Sequence, residues 1–291
     1  MTILVGTADG LFAVDEDVQR AGLDGRDVTA LSADGGWAVV DDHSILRSGD
    51  GGWDEVAALP GDRAGRCVLP TGDDALVGTS EAGLFRLADP VASFENVEGR
   101  DAWYTPWGGP PDTRSLSAGA DGVLYANVHV GGIPRSEDGG ASWAPTIDPD
   151  ADVHQVLAHP TEAGHVLAAT AYGLSVSHDA GRTWDTRADG LHGRYQRAVA
   201  LAGEWVIVSA SEGHVGRKSA IYRTPYAGGA FERVADVPEF TSNVDTFWLA
   251  AEGDRVAFAG PDGSLWGSDD AGATWRPRAG GLAAVRAIAL V

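Results

Sequence analysis

Short runs of apolar or alternating residues, broken by turns rich in glycine, aspartate and serine, recur along the whole chain. This is a pattern of strands, not of helices. The opening segment, MTILVGTADGLFAVDED, already alternates in this way. Each unit repeats one order: a strand, a turn, a second strand ending in small residues, then a third strand starting at Gly-Leu or its equivalent. Seven such junctions occur, at Gly10-Leu11, Ser44-Ile45, Gly83-Leu84, Gly132-Ile133, Gly173-Leu174, Ala220-Ile221 and Ser264-Leu265. Their spacing runs from 34 residues (10 to 44) to 49 (83 to 132), the period of propeller blades, with loops absorbing the variation. The first junction lies too near Met1 for a complete blade, whose innermost strand is missing. AVRAIALV, at 284–291, is β-patterned, follows the last unit and has no blade of its own. It compares with VHQVLA at 153–158, an innermost strand. The expectation is therefore one all-β domain over 1–291: a seven-bladed β-propeller with four-stranded blades, closed by the C-terminal strand in blade one. Two β-sandwiches would leave that last strand unexplained.

A second regularity follows the third strand of several units. The string Ser177-His-Asp179-Ala-Gly181-Arg-Thr183-Trp184 returns at Ser136, Asp138, Gly140, Ser142 and Trp143, and again at Ser268, Asp270, Gly272, Thr274 and Trp275. All three fit S-x-D-x-G-x-[ST]-W. Ser48 to Trp53 is a shortened copy, and Thr224 to Phe231 keeps the spacing without the aspartate. The string resembles the Asp-box, or bacterial neuraminidase repeat, of sialidases, related glycosidases and several non-enzymatic propellers. Its physics is local: the aspartate accepts backbone N–H groups of a tight turn, the glycine supplies positive φ, and the tryptophan wedges into the interior. The resemblance places it on the face opposite the ligand site, as a clasp without chemistry.

Charge narrows the partners. Against 42 acidic residues stand 21 basic ones, a formal net charge of −21, and Lys218 is the sole lysine. Such a surface repels nucleic acid and anionic membranes, and it suits adaptation to high salt, where screening removes self-repulsion. No apolar run approaches a membrane span. The N-terminus shows no basic leader or cleavage site, and Cys67 is alone; together these point to a cytoplasmic protein.

Propeller ligands usually occupy the channel mouth, where the innermost strands begin. Aligning the apolar cores of those strands places Arg286, Thr29, Arg66, Arg114, His154, Arg197 and Asp245 at that position in blades one to seven. Such a ring suits an anionic small molecule, a glycan or an acidic peptide. The alternative is that the arginines pair with carboxylates simply to satisfy one another. His129 ends the second strand of blade four and joins the same face, and Tyr195 and Asn243 open the innermost strands of blades six and seven. The loop DAWYTPWGGPPDTR, at 101–114, offers Trp103 and Trp107 for stacking on a sugar or partner loop. His129 and His154 with Asp245 match no metal-binding spacing, so no metal and no cofactor is assigned.

Two functions remain open. The sialidase resemblance implies arginines for a substrate carboxylate, a tyrosine nucleophile assisted by a glutamate, and an aspartic acid as proton donor. Arg66, Arg114 and Arg197, then Tyr195, Glu239 and Asp245, would fill those roles. The chain departs from sialidases in lacking a Phe/Tyr-Arg-Ile-Pro segment and in having seven blades. Asp-box propellers of the photosystem II assembly factor and sorting-receptor types instead bind peptides or proteins. Fold does not choose between these classes; the simpler expectation is a ligand- or protein-binding propeller.

Overall fold

The computed structural model describes residues 1–291. Strands pair into seven separate four-stranded antiparallel sheets, and the helical segments are three short 3-10 turns, at Ala92–Asn96, Arg100–Ala102 and Pro149–Ala151. No helix is long and apolar enough to cross a membrane. The first sheet runs Val285–Leu290, Ile3–Thr7, Gly10–Val14, Val18–Gly22. Ile3 lies opposite Leu290 and Val5 opposite Ile288, so the last strand of the chain is the innermost strand of blade one. Closure in this way gives blade one its fourth strand and leaves the ring only short edges, sheltered around the channel.

The core is divided rather than central. Seven apolar clusters each fill the junction between two neighbouring blades, because both faces of every blade are covered by the next blade in the ring. Val285, Ile288 and Leu290 belong to the junction of blades seven and one, and Ala287 and Ala289 to that of blades one and two. A strand buried on both faces reads as a nearly unbroken apolar run, which is what AVRAIALV is.

The three full clasps are superposable in their bonding. In blade five the Ser177 hydroxyl donates to Asp179 Oδ1 (2.9 Å) and accepts from Gly181 N (2.8 Å), while Thr183 donates its N–H (2.8 Å) and hydroxyl (2.7 Å) to the same carboxylate. Blades four and seven repeat these bonds through Asp138 and Asp270. Gly181 holds φ at 80°, the left-handed region glycine enters without penalty. The rings differ in depth: Trp143 and Trp275 are buried, whereas Trp184 is half-exposed. The shortened copy forms a tight hairpin with Ser48 opposite Trp53. In the copy without aspartate, Phe231 is buried where the tryptophan would sit.

Candidate functional site

One irregularity sets the geometry of the channel mouth. The innermost strands of blades two to five each skip one residue in pairing: between Val28 and Ala30, Gly65 and Cys67, Thr113 and Ser115, and Val153 and Gln155. Blade one skips Arg286 in the same way. A β-bulge takes its extra residue out of the alternation and re-aims the side chain. The extra residues are Thr29, Arg66, Arg114, His154 and Arg286, five of the seven positions aligned from the sequence. Blades six and seven depart from that alignment. Their innermost strands begin only at Val199 and Leu249, so Arg197, Tyr195, Asp245 and Asn243 lie in the segments leading into them.

The arginines are not a bare cationic ring. Two residues ahead of three of the bulges stand Asp27, Asp112 and Asp152, and two of these aspartates accept from the bulge arginine of the preceding blade. Arg286 donates Nε (3.0 Å) and Nη2 (2.8 Å) to Asp27, and Arg66 donates Nε to Asp112 (2.9 Å) with Asp42 at 3.6 Å. The repeated Asp-x-[Thr/Arg/His] triplets of DVT, DTR and DVH carry the signal for this pairing of arginines with carboxylates.

Asp245 extends the pattern by crossing the ring. It accepts Nη1 of Arg197 (3.0 Å) from the neighbouring blade and Nη2 of Arg114 (2.8 Å) from blade four. The segment that carries it also ties blades five and six together, since the Thr246 hydroxyl reaches the carbonyls of His154 (3.3 Å) and Arg197 (3.1 Å). Phe247 follows with φ at 64° and enters an apolar channel cavity of about 420 Å³ lined by Leu31, Val68, Leu116, Val156 and Leu249. Beneath its polar mouth the channel is therefore apolar. Burial alone would raise the Asp245 carboxyl, but the two guanidiniums hold it below the ordinary carboxylate range. A proton donor needs the opposite displacement. Burial also raises the Tyr195 phenol, over which the Arg197 guanidinium lies at 5.7 Å.

Next to this pair lies a second cluster. Asp152 Oδ1 faces Nε2 of His129 at 3.1 Å and Nε2 of His154 at 3.6 Å. His154 is wholly buried, its ring packed on Tyr195 (4.6 Å) and near His129 (5.3 Å). Burial and then the charge of Arg114 push its imidazole down to about 3, so the ring is neutral at ordinary pH. Asp152 is the carboxylate of this series that holds no guanidinium, because Arg114 has turned to Asp245. The sequence pointed to both histidines but paired them with Asp245.

The other expected site residues separate. Trp107 is exposed and tilts over His129 at 5.3 Å. Trp103 is instead buried, against Phe94 (6.0 Å) and under the Arg100 guanidinium (5.1 Å), so it anchors the loop from below. Asn243 spends its amide within the protein, accepting from the Ser211 hydroxyl (2.7 Å) and donating to the His214 carbonyl (3.0 Å). Glu239 pairs with Arg233 (3.3 Å) and not with Tyr195 or Asp245. The buried Cys67 thiol is pushed up to about 12 by desolvation, which makes it inert.

No family model matches the sequence, and no curated protein matches it. Solved structures do. The structure of YCF48 bound to D1 peptide superposes with a TM-score of 0.61 at 16% identity, over 88% of this chain and 84% of that one. YCF48 from Cyanidioschyzon merolae gives 0.57 at 18%, over 87% and 84%. The computationally designed Ika8 protein gives 0.62 at 14%, over 98% and 86%. At such identities the likeness is one of fold.

Proposed function

We propose that this propeller binds an acidic peptide segment of a protein partner at its channel mouth. One observation carries the reading: two guanidiniums, of Arg114 and Arg197, converge on the single carboxylate of Asp245. Each guanidinium has five N–H donors, and Arg197 Nε is buried without a partner. The pair thus keeps N–H donors beyond those that one carboxylate can accept, at a half-buried position where a second carboxylate gains charge-assisted hydrogen bonds. Exposed Trp107 borders the same mouth and offers a ring face to the peptide. The fold likeness supports the choice of ligand, since YCF48 is a propeller that takes a peptide. The clasps support membership of the Asp-box group, in which binding propellers occur beside glycosidases. Hydrolysis is the weaker reading because Asp245 is held ionised and Glu239 is engaged elsewhere.

The test is fluorescence anisotropy with a labelled oligo-glutamate peptide, in EDTA and at molar salt, where the overall negative field is screened but short buried contacts persist. Binding should weaken at least about tenfold, one charge-assisted contact's worth, in Arg114→Ala combined with Arg197→Ala. Equal affinity in that variant, or for an uncharged peptide of the same length, would overturn the reading.

A further inference from the structure

We infer that His129, Asp152 and His154 form a binding site for a divalent late transition-metal ion of the zinc class. The side-chain donor atoms of the three residues all lie within 4.8 Å of one another. His129 Nε2, Asp152 Oδ1 and His154 Nε2 are each buried, and no group outside the cluster bonds to them, although buried polar atoms are ordinarily satisfied. The tautomer of His154 explains why. Its Nδ1 lies 2.6 Å from the carbonyl oxygen of Gln196, which can only accept, so the proton sits on Nδ1. Nε2 then presents a lone pair towards a carboxylate oxygen 3.6 Å away. Two acceptors facing each other in a buried pocket repel unless a cation lies between them.

The spacing suits such an ion. Bonds of about 2.0–2.1 Å to imidazole nitrogen and carboxylate oxygen give a tetrahedral edge of about 3.3 Å, and the two nitrogen-to-carboxylate separations, 3.1 and 3.6 Å, bracket it. A ligating imidazole usually gives its other N–H to a carbonyl or carboxylate, the role Gln196 fills for His154. Trp107 over His129 and Tyr195 against His154 fix the two rings from outside. Two imidazoles with one carboxylate favour zinc, cobalt or nickel over magnesium or calcium, which prefer all-oxygen sets. Three protein donors leave a coordination position for water or a ligand carboxylate. The site stands independently of peptide binding, which is measured in EDTA.

The test uses the full chain stripped with EDTA. Titration with Zn²⁺ alone, followed by calorimetry and elemental analysis, should show one equivalent bound per chain, at micromolar affinity or tighter. Co²⁺ should develop intense visible d–d bands that Zn²⁺ bleaches. Asp152→Asn and His129→Gln should each weaken Zn²⁺ binding at least about 100-fold. His165→Gln, in the separate surface cluster where the His165 and His178 rings approach to 4.6 Å, should leave it unchanged. No uptake by the unmodified chain at about 100 micromolar free Zn²⁺ overturns the site, since built zinc sites bind far more tightly. Uptake that survives Asp152→Asn but disappears in His165→Gln also overturns it. If a variant fails to fold, the unmodified chain still tests the site, because the absence of intense Co²⁺ d–d bands overturns it.

Discussion

Arg114 and Asp245, 131 residues apart in sequence, meet at 2.8 Å across the mouth of the ring. That contact joins blade four to the segment of blade seven that also accepts from Arg197 of blade six, so it ties together strands that share no sheet. Part of the stability of the ring should pass through it. A double-mutant cycle on Arg114→Ala and Asp245→Asn should give a coupling of about 1–2 kcal/mol, below a fully buried pair because both side chains keep some solvent contact. Additive effects in urea unfolding would show that the pair carries no coupling.

The clasp rings should rank by depth. Trp275→Ala, at a buried ring whose Nε1 donates to the Gly272 carbonyl at 3.0 Å, should cost about 3–5 kcal/mol. Trp184→Ala should cost less, because that ring is half-exposed. Denaturant midpoints for the two variants decide the order, and equal losses would contradict it.

Acid should undo the clasps late. Hydrogen bonds from Ser142 hold the Asp138 carboxyl down to about 2, and those from Thr183 do the same for Asp179. A carboxylate depressed in the folded state contributes stability that is fully present above its unfolded value, about 4, and is lost as pH falls through the folded value. The thermal midpoint of Asp138→Asn should therefore lie below that of the unmodified chain at neutral pH. The gap should narrow between about pH 4 and pH 2. A gap independent of pH would place the effect of the aspartate elsewhere.

Deleting 284–291 removes the innermost strand of blade one and apolar side chains from two junctions. The truncated chain should lose its cooperative thermal transition, because both junctions of blade one lose packing and the edge of Ile3–Thr7 is bared. A soluble, sharply melting truncation would contradict closure by this strand.

The net charge of −21 implies self-repulsion that salt relieves. The melting temperature should rise as KCl is raised from about 0.1 M to about 1 M, over which the Debye length shortens from about 10 to about 3 Å. A flat or falling profile in differential scanning calorimetry would remove the high-salt reading of the composition.

Local pattern determined the blades. Strand runs, the seven Gly-Leu-type junctions, the clasp strings and the orphan strand AVRAIALV were all legible, because each depends on residues adjacent in the chain or on the two-residue period of a strand. The bulge positions of five blades were legible for the same reason: aligning similar strands puts Arg66, Arg114, His154, Thr29 and Arg286 in register. What those side chains meet was decided only by the closed ring. Arg114 could have served Asp152, two residues ahead of the next bulge in the series, yet it turns to Asp245, which arrives from the far side on a segment ahead of its own strand. That choice leaves Asp152 to two histidines and sets two arginines on one carboxylate. Contacts of this kind depend on where the ring axis brings distant segments together, and no spacing along the chain encodes that distance.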